Sequence, residues 1–184
     1  MREELSRVAW DLFSRKGYEQ TTVAEIARAA GVSRRTFFRY HASKEDVVVE
    51  TQDAMAQRML DAVAARPAGE APLVAIRHAL VRELETELAQ PELMRGIIRL
   101  LRESPALRRA MLDRHARMEE RLAALLAERL CIDPGRDSTP ALLAFLARAM
   151  LDTAFNVWYD QDRDDLRGLV DELFGKLRAL TRRF

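Results

Sequence analysis

The chain lacks what stapled or metal-built folds depend on. Cys131 is its single cysteine, so no internal disulfide is possible, and His41, His78 and His115 are too scattered for metal-ligand spacing. No cofactor is expected. Glycine and proline are sparse, 7 and 6 in 184 residues, which excludes collagen-like and linker-like architectures. No uncharged apolar run approaches the ~20 residues of a membrane span, and Met1-Arg2-Glu3-Glu4 does not begin a signal peptide. A cytoplasmic protein with no membrane partner is the expectation. The chain also shows no nucleophile-base arrangement, no glycine-rich phosphate cradle and no carboxylates paired in a loop, so it does not read as an enzyme.

What is present is 48% hydrophobic and 32% charged, the composition of a helical globular protein. The net charge of +1 hides an asymmetry. Residues 1–45 hold nine lysines and arginines against six acids, a net +3 that leaves −2 for the remainder. A small basic lobe on a slightly acidic body suits a nucleic-acid reader attached to a domain that does not touch nucleic acid.

Leu5, Val8, Ala9, Leu12 and Phe13 recur at helical spacing, and Gly17 closes the pattern, which predicts a first helix over about 2–16. Thr22-Val23-Ala24-Glu25 is a capping box that opens a second helix over about 23–30, ended by Gly31. Ser33 is a good N-cap for a third helix reaching Tyr40. A fourth runs from Lys44 to about Ala64, where Pro67 and Pro72 break the pattern. Further helices are predicted over 72–89, 91–103, 105–130, 139–160 and 164–182, punctuated by Pro91, Pro105, Pro134-Gly135 and Pro140. The expected fold is all-α with about nine helices and no sheet.

Helices two and three, joined through Ala30-Gly31-Val32-Ser33, have the form of a helix-turn-helix that sets its second helix into a major groove. Val23, Ile26, Ala27, Ala30, Val32 and Phe37 supply its apolar packing, which leaves Ser33, Arg34, Arg35, Thr36, Phe38 and Arg39 for the DNA side.

Leu12-Phe13, Gly17-Tyr18, Thr21-Thr22-Val23, Ile26-Ala27, Ala30-Gly31-Val32-Ser33, Thr36-Phe37-Phe38 and Ser43-Lys44 stand in the order and spacing of the N-terminal module of TetR-family regulators. Over about residues 5–50 the chain resembles that family. The resemblance implies a three-helix DNA-binding domain over 1–45 and a helical effector-binding and dimerisation domain over 46–184. It further implies that Ser33, Arg34, Arg35 and Thr36 meet bases and nearby phosphates, that Phe38 and Arg39 flank them, and that Thr22, Tyr40 and Lys44 clamp phosphates. Arginine can pair bidentately with guanine, so Arg34 and Arg35 are the candidate base readers.

The match departs from the family pattern at three places. Phe38 stands where a tyrosine is common; it keeps a ring for a thymine methyl or sugar but cannot donate to a phosphate. His41-Ala42 replaces the usual Phe-Pro and puts a titratable ring where an aromatic is buried. Only Met1 precedes helix one, so recognition is expected to rest on the major groove.

The C-terminal segments carry no comparable motif. Helix 164–182 places Leu166, Leu169, Val170, Leu173, Phe174, Leu177 and Leu180 on one apolar face. Helix 139–160 has two such faces: Leu142, Leu146, Ala149, Met150, Thr153 and Val157 on one, and Leu143, Ala147, Leu151, Ala154 and Trp158 on the other. One face would pack inside the subunit and the other against a symmetry mate in a four-helix bundle, giving a homodimer through these two helices. Met94, Ile98, Met111, Met118, Phe145, Phe155 and Tyr159 are candidates to line an apolar effector site, with His115, Asp152 and Asn156 as polar anchors. Asp152 and Asp160 would suit a cationic aromatic ligand, whereas Arg77, Arg95 or Arg99 would suit a carboxylate or acyl thioester; the residues do not choose.

The function expected is a ligand-responsive regulator, a repressor by preference, that binds a palindromic operator in double-stranded DNA as a dimer and is released by a small effector. Helix four joins both domains and is the expected lever. An activator of the same fold and a constitutive DNA-binding protein without an effector are the alternatives.

Overall fold

A computed structural model describes residues 1–87, 91–163 and 165–181, without the side chains of Thr51, Gln52, Glu87, Leu93 and Leu166. Nine helices carry the described chain and no strand occurs among them: α1 (Arg2–Lys16), α2 (Val23–Ala29), α3 (Arg34–Tyr40), α4 (Lys44–Ala64), α5 (Pro72–Glu87), α6 (Pro91–Glu103), α7 (Pro105–Leu130), α8 (Thr139–Asp160) and α9 (Leu166–Thr181). Side-chain caps at Thr22 and Ser33 open α2 and α3. Residues 88–89, 164 and 182, which the sequence reading places in helices, lie outside the described residues, as does the Leu166 side chain.

The helices form two compact units, one of Met1–Ala54 with Gln90–Arg114 and one of Met55–Ala89 with His115–Phe184. The sequence draws its boundary near residue 45, but packing assigns α6 and the start of α7 to the first unit. There Ile97, Leu100 and Leu107 share a core with Leu5, Ala9, Trp10, Phe13, Ile26, Phe37 and Val47. Periodicity marks the apolar stripe of α6 without saying what it faces. Gly96 permits the approach, since a Cβ there would lie 3.0 Å from Ser14 Oγ of α1. Ser104 is buried, accepts the Leu107 N–H at the start of α7 and donates to Glu19 Oε1 at 2.7 Å, fastening the α6–α7 corner to the α1–α2 loop.

In the second unit α9 packs against α8 and α5. The inward stripe of α8 is Ala144, Ala147, Met150, Ala154 and Trp158, with Met150 joining the stripe opposite to the one expected for it. Leu142 and Phe145 remain 67% and 55% exposed, and Leu180 of α9 is 57% exposed. By length and average apolarity alone, α8 is long enough to cross a membrane. Arg148 and Asp152 interrupt it, and they pair with each other and, through Arg148, with Glu119 of α7.

Candidate nucleic-acid interface

Helix α2 begins with a complete capping box: Thr22 N–H and Oγ1–H both donate to Glu25 Oε2 at 2.9 Å, and Glu25 N–H donates back to Thr22 Oγ1. Lys16 also pairs with Glu25. The Lys16 contact and the two Thr22 bonds hold the Glu25 carboxyl well below the usual range, at about 2. The Thr22 hydroxyl therefore spends its proton inside the cap.

The turn to α3 is a Schellman closure. Gly31 lies at φ +67°, its N–H donates to Arg28 O, and Val32 N–H donates to Ala27 O at 2.9 Å. Helix α3 then starts at Ser33, whose Oγ accepts the Thr36 N–H at 3.0 Å and lies 2.9 Å from Thr36 Oγ1. Phe37 is 0% exposed and anchors the helix, and Arg34, Arg35, Phe38 and Arg39 face solvent. Ser33, Arg35, Thr36, Phe38 and Arg39 line one open concavity. Seven residues form too short a helix to stand alone, so packing through Phe37 and the two caps must hold it.

Four of the nine cations in residues 1–45 are paired with carboxylates among the described residues. Arg2 pairs with Glu50, Arg7 with Glu4, Arg15 with Asp11 and Lys16 with Glu25. Arg39 lies 4.9 Å over the Tyr40 ring and donates to its hydroxyl. Lys44, for which the sequence reading implies a phosphate contact, directs its ammonium at the carbonyls of Tyr18 (2.8 Å), Thr21 (3.2 Å) and Glu19 (3.5 Å), above the Tyr18 ring. Only Arg28, Arg34 and Arg35 of the nine cations have no ion-pair or ring partner among the described residues. Composition supplies the +3; the fold concentrates two of the unpaired charges at the first turn of α3. Arg28, on α2, escaped the sequence reading because linear charge does not reveal which cations have partners.

His41 ends α3. Its side chain is buried, with Nδ1 3.1 Å from Glu50 Oε2 and its ring 5.4 Å from Phe37. Glu50 also pairs with Arg2, and neither His41 ring nitrogen has a hydrogen-bond partner among the described residues. Tyr18 beside Lys44 is buried, which raises its hydroxyl pKa, and the adjacent Glu45 carboxylate adds to that rise.

The effector candidates divide between the units. Met94, Ile98 and Met111 are buried in the first. In the second, His115, Met118, Asp152, Phe155 and Tyr159 are half-buried, and Asn156 and Phe145 are exposed. His115 stands beside the Glu119–Arg148–Asp152 group, and burial holds its pKa below the usual imidazole value, with Arg148 acting in the same direction. The buried Glu119 escaped the sequence reading because its pairing with Arg148 spans two helices.

Such a two-helix reader, capped at both N-termini and presenting unpaired arginines from its second helix, defines a helix-turn-helix DNA-binding protein. Residues 5–51 match the model of the bacterial regulatory proteins of the tetR family, and residues 70–182 match the MftR C-terminal domain. The chain is 37% identical over 174 residues to the HTH-type transcriptional regulator TcmR of Streptomyces glaucescens, covering 91% of this chain and 77% of that protein. It is also similar to Thermus thermophilus FadR, a TetR-family repressor solved with lauroyl-CoA, at 28% identity and a TM-score of 0.52 over 94% of this chain and 90% of that one. NalD, the secondary repressor of the MexAB-OprM multidrug efflux pump in Pseudomonas aeruginosa, shares the fold at 21% identity and a TM-score of 0.64, over 94% and 93% of the two chains. The chain belongs to the TetR family of transcriptional regulators.

Proposed function

We propose that the chain is a homodimeric, ligand-responsive repressor that binds a palindromic operator and leaves it when a small apolar or amphipathic effector binds. The observation that carries this reading is the unpaired Arg34–Arg35 pair at the start of a recognition helix held rigid by Ser33 and Phe37. Arg34 and Arg35 read guanine edges, Ser33 and Thr36 lie against bases and nearby phosphates, and Arg39 and Tyr40 contact the backbone. Thr22 and Lys44 act as positioning residues, because their donors are occupied within the chain. Residues 1–45 supply the DNA contacts and the remainder supplies dimerisation and sensing.

Exposed Leu142 and Phe145 on α8 and Leu180 on α9 support a dimer face on these helices. Two-fold symmetry then sets the recognition helices about 34–36 Å apart, one turn of DNA. The effector lies against the second unit near His115 and Asp152, with Met118, Phe155 and Tyr159 supplying apolar surface. The lauroyl-CoA complex of Thermus FadR supports an amphipathic effector. Helices α4 and α7 each contribute to both units, so a ligand that favours one setting of either helix changes the DNA-reading head. An effector with equal affinity for both settings would release nothing.

The test is selection of DNA from a random pool by the full chain, followed by mobility shift of the selected duplex with lauroyl-CoA or a non-intercalating aromatic cation such as tetraphenylphosphonium. Enrichment of a palindrome, and its release by one ligand class, is the expected result. DNA binding without sequence preference, or ligand binding that leaves DNA affinity unchanged, would overturn it.

A further inference from the structure

We propose that the corner between α6 and α7 is a second DNA-backbone contact, at which Arg108 and Arg109 hold phosphates outside the helix-turn-helix. The inference rests on the DNA-binding reading of α3 and adds contacts from a segment beyond residues 1–45. Gln90–Arg114, the later segment of the first unit, holds six arginines against three acids, a net +3 that leaves −5 for the rest of residues 46–184. The acidic remainder of the chain therefore contains one basic stretch, and packing assigns it to the unit that carries the reader.

Within that unit the corner has one apolar and one cationic side. Ile97, Leu100 and Leu107 enter the core shared with α1 and α3, which leaves Arg99, Arg102, Arg108 and Arg109 facing solvent. Ser104, at the bend, donates to Glu19 Oε1 at 2.7 Å. Glu19 lies three residues before Thr22, the cap of α2, so the corner is fixed beside the N-terminus of the helix-turn-helix.

Arg108 and Arg109 have no ion-pair, hydrogen-bond or ring partner among the described residues. Arg109 does not pair even with Asp113, four residues on, although that spacing is used by Arg15 with Asp11, Arg66 with Glu70 and Arg148 with Asp152. The other adjacent arginines left unpaired among the described residues are Arg34 and Arg35 of the recognition helix. Neighbouring guanidinium groups without a counter-charge repel each other, and a polyanion relieves that repulsion. Their planar forks fit phosphate oxygens, which a duplex offers along its whole length, so the contact adds affinity and no base preference.

The selected operator, set in a longer duplex, is titrated across salt concentration with the full-length chain and with Arg108→Ala plus Arg109→Ala. The double variant is expected to enrich the same sequence but to lose about two units of salt slope, so that between about 50 and 200 mM salt the parent weakens about tenfold more than the variant does. Its fold is expected to survive because both side chains are exposed, and Arg108→Lys plus Arg109→Lys, which keeps the charges, retains the parent slope. Arg117→Ala, which removes an exposed, unpaired arginine of α7 from the other unit, leaves the slope unchanged. A parental slope in the double alanine variant, or an equal loss in Arg117→Ala, would overturn the contact while leaving DNA binding intact. Failure to enrich any sequence would instead overturn the DNA-binding reading, and this contact with it.

Discussion

Lys44 Nζ lies 2.8 Å from the carbonyl oxygen of Tyr18 and 4.2 Å from the centroid of the same ring. With Thr21 O at 3.2 Å, the ammonium closes the loop between α1 and α2 from the first residue of α4. Bonds from a charged donor contribute about 1.5–3 kcal/mol each, and more than one carbonyl is left uncapped when this one is lost. Lys44→Met is therefore expected to lower the melting temperature of the first unit while leaving the salt dependence of DNA binding at its original slope. A phosphate contact would instead reduce that slope by about one. Thermal melts and binding titrations across salt concentration separate the two roles.

Arg35→Ala is expected to cost about 1–3 kcal/mol on the operator and to broaden the selected sequence at one position, as the loss of a bidentate base contact does. Arg28→Ala removes an unpaired charge from α2, outside the recognition helix, and is expected to leave the selected sequence unchanged. Repeating the DNA selection with each variant distinguishes them.

Gly31 and Cys131 occupy the same left-handed backbone region, at φ +67° and +54°. Gly31→Ala is expected to destabilise the helix-turn-helix by roughly 1 kcal/mol, a purely conformational cost because nothing lies within 4 Å of the added Cβ. Cys131 closes α7 through the same pattern, with Ile132 N–H donating to Ala127 O. Cys131→Gly is expected to stabilise by up to about 1 kcal/mol. Denaturant unfolding curves report both changes.

The depressed Glu25 carboxyl gives the first unit an acid-sensitive element. Its folded value of about 2 lies below the ordinary 4.5, so its stabilisation is complete above about pH 4.5 and is lost as pH falls through about 2. The melting-temperature difference between the parent chain and Glu25→Gln should be full at pH 6 and shrink between pH 4 and 2. A pH-independent difference would assign the cap's contribution to geometry alone.

Leu142 and Phe145 are 67% and 55% exposed, so charge at these sites does not disturb the subunit's own core. Leu142→Glu with Phe145→Glu is expected to give folded monomers in sedimentation velocity with greatly weakened operator binding. A dimer that persists would move the interface away from this end of α8.

The sequence by itself determined the helices and the reader. The capping box at Thr22, the N-cap at Ser33, the glycine at 31 and the prolines at 72, 91, 105 and 140 are local signals, because a backbone N–H or a positive φ is satisfied by neighbours in the chain. The outward placement of Arg34, Arg35 and Phe38 follows from the same local geometry. Tertiary structure alone decided which charges are spent and which stripes face which core. Lys44 meets carbonyls 23 and 26 residues away, Glu119 meets Arg148 across 29, and α6 packs on α1 through Gly96 and Ser14. Helical periodicity reports that a face is apolar and a side chain charged; the partner that buries or neutralises it comes from a distant segment, and no local pattern encodes that distance.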